Sequence, residues 1–290
     1  MRVPGRRTLK RLLNGSAGNT IALDYPTSAL NAPRYGYGRA SHTQLLQLLE
    51  QATPRFAEEL GSLWTFRPDL ERISVAAEPG ELPYWDNAWT SGLDGVALYG
   101  YVRLRRPRRY IEVGSGFSTR FVAQAIRDGG LDTTITSIDP APREGVDTLC
   151  ETVIRAPLEL AGTDWVTELQ AGDIVFFDGS HRAFMNSDVT IFFLEILPLI
   201  PSGVLVGIDD IWWPDDYPQE WADRFYSEQY LLAAYLVAGC TWLRPRLAAR
   251  YVDMDPGLRS IGADFWDRPG METASRTRLG LTFWMDVDRG

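Results

Sequence analysis

Apolar residues recur at helical spacing in one early stretch, from about His42 to Leu60. Leu45, Leu46, Leu48 and Leu49 are followed there by Phe56 and Leu60. That period predicts an amphipathic helix, with Ser41 as its N-cap. The sequence around it is irregular and turn-rich, as in Asn14-Gly15-Ser16 and Pro33-Arg34-Tyr35-Gly36-Tyr37-Gly38. A second helix is predicted over Asp94 to Leu104. From Arg109 the texture changes, and short apolar runs alternate with helical stretches. Strands are predicted at 110–113, 134–138, 152–154, 174–177 and 203–208. Helices are predicted from Ser118 or Thr119 to Arg127, from Ser187 to Leu197, and from Gln219 to Ala238, with Gly239 as terminator. Strands near 241–243 and 279–287 complete the set. This alternation is the pattern of an α/β parallel sheet. The chain therefore divides into an irregular, partly helical cap region, 1–105, and an α/β domain, 106–290.

Composition supports one sizeable core and excludes several classes. The chain has 290 residues, of which 45% are hydrophobic, enough for such a core plus an appendage. Its formal net charge of −9 repels phosphate backbones, so nucleic acid is excluded as a general partner. The basic run Arg2, Arg6, Arg7, Lys10 and Arg11 is followed by no continuous apolar segment and does not read as a secretory signal. The apolar stretch from Val189 to Ile200 is too short to span a bilayer and carries Glu195. Two cysteines make no disulfide framework. A cytoplasmic protein without a membrane partner is expected, and self-association as a homo-oligomer is left open.

The loop Glu112-Val113-Gly114-Ser115-Gly116-Phe117-Ser118-Thr119 joins a predicted strand to a predicted helix. In such sheets ligands bind beyond the carboxyl ends of the strands. Gly114 and Gly116 permit a sharp turn and a close backbone approach, and Ser118 or Thr119 can cap the helix. Asp139 ends the next strand, where an acid can hold ribose hydroxyls. Thr119 stands where a dinucleotide-binding loop has its third glycine, which weighs against NAD. Glu112 adds negative charge, which suits a cation such as S-adenosylmethionine. A tight βα turn with no ligand is the plain alternative.

Tyr110-Ile-Glu-Val-Gly-Ser-Gly-Phe-Ser-Thr119 and Ser137-Ile-Asp-Pro-Ala-Pro-Arg143 resemble motif I and the following acid of the class I S-adenosylmethionine-dependent methyltransferases. Phe177-Asp-Gly-Ser-His-Arg-Ala-Phe-Met-Asn-Ser-Asp-Val189, Gly207-Ile-Asp-Asp-Ile-Trp-Trp-Pro-Asp-Asp-Tyr-Pro218 and Pro33-Arg-Tyr-Gly-Tyr-Gly38 resemble a bacterial methyltransferase family. The resemblance implies a Rossmann-like sheet, mostly parallel with its last strand antiparallel. It also implies a cofactor site of Glu112, Gly114, Ser115, Gly116, Ser118, Thr119, Asp139 and Asp178.

Asp178-Gly179-Ser180-His181 follows the fourth strand, and Asp209-Asp210 follows the fifth. Both strand ends face one crevice. Three carboxylates there are explained by a hard cation such as Mg²⁺, held by Asp178, Asp209 and Asp210, which would acidify and orient an acceptor hydroxyl. His181 could then take the proton. The arrangement is similar to the metal-dependent O-methyltransferases of macrolide sugars and catechols, which implies His181 and Asp178 as catalytic residues. One departure bears on the ligand set: the resembled family has His-x-His-Asp where this chain has Gly207-Ile208-Asp209-Asp210. Trp85, Trp89, Trp212, Trp213 and Tyr217 are candidates for a ring-stacking crevice mouth, or else ordinary packing. The run Arg103, Arg105, Arg106, Arg108 and Arg109 reads as a solvated face, and His42 as structural.

The expected activity is methyl transfer to an oxygen of a hydroxylated small molecule or saccharide. Two alternatives stay open: a metal-independent methyltransferase with His181 as base, acting on oxygen, nitrogen or carbon, and a cofactor-binding protein without turnover.

Overall fold

The computed structural model describes residues 32–289, apart from 79, 81, 91, 143, 144, 273 and 275–279. The basic run Arg2–Arg11, the Asn14–Ser16 turn, Arg143 and Leu279 lie outside the described residues. Residues 33–290 form one compact unit.

Helix α1 (Thr43–Leu63) buries Leu45, Leu49, Phe56, Leu60 and Leu63, the stripe its spacing predicts. Its N-cap is His42, whose Nδ1 accepts from the Leu45 amide at 3.4 Å. Ser41, expected in that role, instead donates its hydroxyl to Asp215 at 2.7 Å. Helix α2 (Gly92–Arg105) is buried from Gly92 through Val102. A helix enclosed on all sides reads as apolar all round, and this one packs between α1 and α3 (Phe117–Gly129).

Seven strands form one sheet: β1 (Arg109–Val113), β2 (Thr134–Ile138), β3 (Thr152–Ile154), β4 (Ile174–Phe177), β5 (Leu205–Ile208), β6 (Leu243–Ala248) and β7 (Phe283–Val287). Their order is β3-β2-β1-β4-β5-β7-β6. β1 to β5 pair in parallel, and β7 runs antiparallel to both β5 and β6. This is the mostly parallel Rossmann-like sheet with an antiparallel last strand. Every residue of β4 and β5 is buried, because interior parallel strands are covered on both faces and must be apolar throughout. Phe176 stacks on Trp284 at 5.5 Å, and Phe177 on Phe192 at 4.1 Å, one pair on each side of the sheet's middle.

The long helix expected over Gln219–Ala238 is broken. A 3₁₀ segment, Gln219–Arg224, ends at Phe225 with φ of 57°, and α5 begins only at Glu228 and runs to Val237. The break lets the Ser227 amide donate 2.7 Å to the carbonyl of His181. The helix expected from Ser187 is also irregular. It is α-helical as α4 (Asp188–Ile191), a π-turn over Phe192–Ile196 and 3₁₀ over Leu197–Leu199. The strand expected at 241–243 begins only at Leu243, because Gly239 and the residues after it make the turn out of α5. Among the described residues between β6 and β7 lie three short helices, Ala249–Met254, Pro256–Ser260 and Ala263–Trp266. None is long enough to show a period. Phe265 and Trp266 in the last of them pack on Trp85, which is a core residue and not part of a crevice mouth. No described helix is long and apolar enough to cross a membrane.

Candidate active site

The cleft opens at the carboxyl ends of β1, β2, β4 and β5. It has a volume of about 860 Å³ and is lined by all three loops that the sequence singles out. That size lies within the usual range for small-molecule sites.

The loop after β1 is shaped by its neighbours. Gly114 has φ of 78°, and a β-carbon built there would lie 1.8 Å from the Asp178 carbonyl oxygen. Only glycine lets β1 and β4 stay paired at this point. The Gly114 amide donates to Ile138 at 3.0 Å, and the Asp178 amide donates to Val113 at 2.8 Å. A β-carbon on Gly116 would meet no atom within 4 Å, and Gly116 lines the cleft. Asp139 accepts from the Ser115 amide at 2.8 Å through one carboxylate oxygen and from the Ala141 amide at 2.8 Å through the other. Gly114, Ser115, Gly116, Ser118, Asp139 and Asp178 all face this space.

Glu112 and Thr119 lie beneath the loop. The Glu112 carboxylate is fully buried and accepts from the Ser118 hydroxyl at 2.6 Å, from Thr119 and from Tyr110 at 3.3 Å. Burial raises its pKa to about 7, against the hydroxyls that favour the charged form. Glu112 therefore braces the start of α3 from inside, and the carboxylate that the sequence reading set near the loop does not reach the cleft.

At the other end His181 is buried at φ of 60°, on the turn Asp178-Gly179-Ser180-His181. Asp188, at the start of α4, holds that turn through the Ser180 amide at 2.6 Å and hydroxyl at 2.5 Å. The imidazole Nδ1 contacts Glu228, and Nε2 lies 3.2 Å from Asp178 and 3.5 Å from Asp210. Burial alone would lower the His181 pKa. Glu228, Asp178 and Asp210 outweigh it, so the pKa rises well above the usual imidazole value. Burial raises Glu228 to about 7, against the opposing pull of His181. Burial also raises Asp210 to about 6, opposed by His181 and reinforced by Asp178 and Asp94. Asp209 is raised by burial and by Asp178 and Asp210.

The structure thus brings Asp178, His181, Asp209 and Asp210 to one cleft together with the Gly114–Gly116 loop. Sequence reasoning missed Glu228, a fully buried acid in the first turn of α5. Hydrophobic surroundings on both sides of a lone glutamate were its only signal. It also missed Asp94, whose carboxylate accepts from the Leu281 and Thr282 amides and lines the cleft. Of the aromatics singled out, Trp213 and Tyr217 are buried packing, Trp212 is half-buried outside the cleft lining, and Trp89 lines the cleft. Trp221 and Tyr226 line it too. The arginine run is largely paired: Arg103 with Asp69, Arg105 with Asp286 and Arg109 with Glu168.

For a metal, the donor set is the test. Asp178 and Asp210 both face the same imidazole nitrogen. Among the described residues no three His, Cys, Asp or Glu side chains are grouped to hold an ion. The residues as arranged do not fit a preformed Mg²⁺ site.

Residues 111–211 match a family model described as a methyltransferase domain. That segment is about a third of the chain. The matched segment runs from β1 through both acidic loops of the Rossmann-like sheet. No curated protein matches the chain in sequence. Solved structures similar to it include an S-adenosylhomocysteine-bound methyltransferase from Podospora anserina, with 18% identity, a TM-score of 0.39, and 66% of this chain and 81% of that one covered. Another is an O-methyltransferase from Bacillus cereus in complex with S-adenosylhomocysteine, with 14% identity, a TM-score of 0.38 and coverage of 80% and 91%. A third is described as a putative O-methyltransferase from Klebsiella pneumoniae, with 14% identity, a TM-score of 0.40 and coverage of 85% and 99%.

Proposed function

We propose that the protein transfers the methyl group of S-adenosylmethionine to an oxygen of a hydroxylated small molecule. One observation carries this reading. A glycine loop suited to a nucleoside and a buried histidine suited to a proton line a single cleft. The donor supplies an electrophilic methyl carbon on a sulfonium. Asp139 would hold ribose hydroxyls, since each of its oxygens keeps a lone pair beyond its loop amide. Ile138, Pro140 and Leu158 offer an apolar seat for a base, and Asp178 would face the positive end of the donor.

The chain's own contribution to the chemistry is positioning and proton transfer. Glu228 holds Nδ1 of His181, which leaves Nε2 directed at the cleft. A hydroxyl that enters between Asp178 and Asp210 would meet that nitrogen. A cationic donor beside Asp178 weakens the carboxylate's hold on an imidazolium, so the ring can become the neutral base that accepts the hydroxyl proton. The oxygen then bonds to the methyl carbon as the carbon–sulfur bond breaks, leaving S-adenosylhomocysteine and His181 protonated. Asn87, Trp89, Thr90 and Asp94 line the same cleft, which supports an acceptor-covering role for the region before residue 106. The exposed ring of Trp89 could stack on a sugar or an aromatic acceptor.

The test is release of S-adenosylhomocysteine against a panel of phenols, hydroxy acids and saccharides, with His181→Ala alongside. Acceptor-dependent release by the wild type is expected. Tight donor binding with no release on any acceptor would favour a binding protein without turnover. Metal assistance is a second reading, motivated by one observation: Asp178, Asp209 and Asp210 lie close enough together that burial and mutual repulsion raise the pKa values of Asp209 and Asp210. Dialysis against EDTA separates the two. Activity that survives chelation leaves the histidine mechanism, and activity restored only by Mg²⁺ supports the metal.

A further inference from the structure

The basic residues of the cleft gather around one ring, beside acids that include Asp178 and Asp210. Seven acids line the cleft, Asp94, Asp139, Glu159, Asp178, Asp188, Asp209 and Asp210, against three basic residues, His181, Arg182 and Arg224. All three basic residues surround one ring. Tyr226 lies 4.5 Å from the His181 ring, with the Arg182 guanidinium 5.3 Å and the Arg224 guanidinium 5.5 Å from its centroid.

The two arginines are held there without a carboxylate. Arg182 donates to the carbonyls of Arg224 at 2.7 Å and Ser180 at 3.1 Å. Arg224 lies 4.0 Å over the Trp221 ring, and no carboxylate among the described residues pairs with either guanidinium. Arg67, Arg103, Arg246 and Arg250 each have an acidic partner. Two like charges converging on one ring repel each other, and stacking on an aromatic face offsets only about 0.5–2 kcal/mol. An anion between them would turn that repulsion into two charge-assisted contacts.

We propose that the methyl acceptor carries an anionic group, a carboxylate or a phosphate, held by Arg182 and Arg224 against the Trp221–Tyr226 wall, while its hydroxyl faces His181. The inference rests on the methyl-transfer reading of the cleft. It narrows the acceptor to hydroxylated acids or phosphorylated alcohols. The acceptor's hydroxyl then lies beside His181, Asp178 and Asp210, and its anionic group lies on the two arginines. Uncharged sugars and simple phenols would then be poor acceptors.

The test uses the full chain and inorganic phosphate, followed by phosphorus NMR line broadening with and without saturating S-adenosylhomocysteine. Saturable broadening in the millimolar range is expected with S-adenosylhomocysteine present, weakened at least fivefold in Arg224→Gln and unchanged in the exposed control Arg108→Gln. Benzoate as competitor separates the two oxyanions. Displacement at lower concentration than phosphate assigns a carboxylate, weaker displacement assigns a phosphate, and both keep the site. Absence of saturable broadening, or broadening that Arg224→Gln leaves intact, overturns the proposal. So does phosphate binding that S-adenosylhomocysteine abolishes, because the arginines would then serve the donor's own carboxylate. Calorimetry of S-adenosylhomocysteine on each variant reports folding and donor binding separately. If the donor product fails to bind the wild type, the methyl-transfer reading fails. If it binds and phosphate does not, only this inference fails.

Discussion

Replacing Gly114 by alanine puts a methyl group where the fold has no room for one. The added carbon would lie 1.8 Å from the Asp178 carbonyl oxygen. A carbon–oxygen contact needs over 3 Å, so the ends of β1 and β4 must part by roughly 1.5 Å. The backbone conformation adds about 1 kcal/mol, since φ of 78° is strained for any residue with a β-carbon. Separation also weakens the Gly114–Ile138 and Asp178–Val113 hydrogen bonds, at about 1 kcal/mol each. The total is about 3 kcal/mol. It appears as a melting temperature lower by roughly 6–12 °C if the strands stay paired. It appears as a roughly hundredfold loss of S-adenosylhomocysteine affinity if the loop swings aside instead. Thermal melts and isothermal titration on the same sample read both. Gly116→Ala is the matched control: its β-carbon meets nothing, so it should melt like the wild type and lose affinity only through its place on the cleft wall. A Gly114→Ala protein that melts normally and binds S-adenosylhomocysteine within threefold of wild type would refute the steric reasoning.

Three further outcomes are expected. His181→Ala should lower kcat by about 10²–10⁴ while donor affinity changes little, as measured by single-turnover kinetics and titration. A comparable loss of donor affinity would place the histidine in the wrong half of the cleft. Glu228→Gln should lower kcat with acceptor KM nearly unchanged, because Glu228 touches the imidazole and does not line the cleft. An unaltered kcat would remove its positioning role. Glu112 gives a pH signature. Its pKa is raised from 4.5 to about 7, so the folded protein holds that proton more tightly than the unfolded chain, and the stability gained is lost as pH rises between those values. Glu112→Gln should therefore melt close to wild type at pH 5 and gain on it at pH 8, and an equal deficit at both pH values would contradict the buried acid.

The sheet was legible because its interior strands are continuous apolar runs between turn residues, as at Ile174–Phe177. Gly114, Asp139, Asp178 and His181 were legible because strand ends in such a sheet must face one crevice. Less local features were not. Glu228 reaches His181 only because the chain breaks at Phe225–Ser227, and the apolar and aromatic residues from Trp221 onward read as one continuous helix. Glu112 read as a negative charge near the loop because sequence cannot say that Ser118, Thr119 and Tyr110 would turn their hydroxyls to it. Trp85 looked like a crevice aromatic because the short helix that covers it, Ala263–Trp266, has no period to read.

Isothermal titration of S-adenosylhomocysteine into the full chain, repeated with Asp139→Ala, bears most directly on the whole account. One site with micromolar affinity, weakened at least tenfold by the substitution, is the expected result. No heat up to millimolar concentration, or binding that Asp139→Ala leaves untouched, would contradict the assignment of this cleft to a methyl donor.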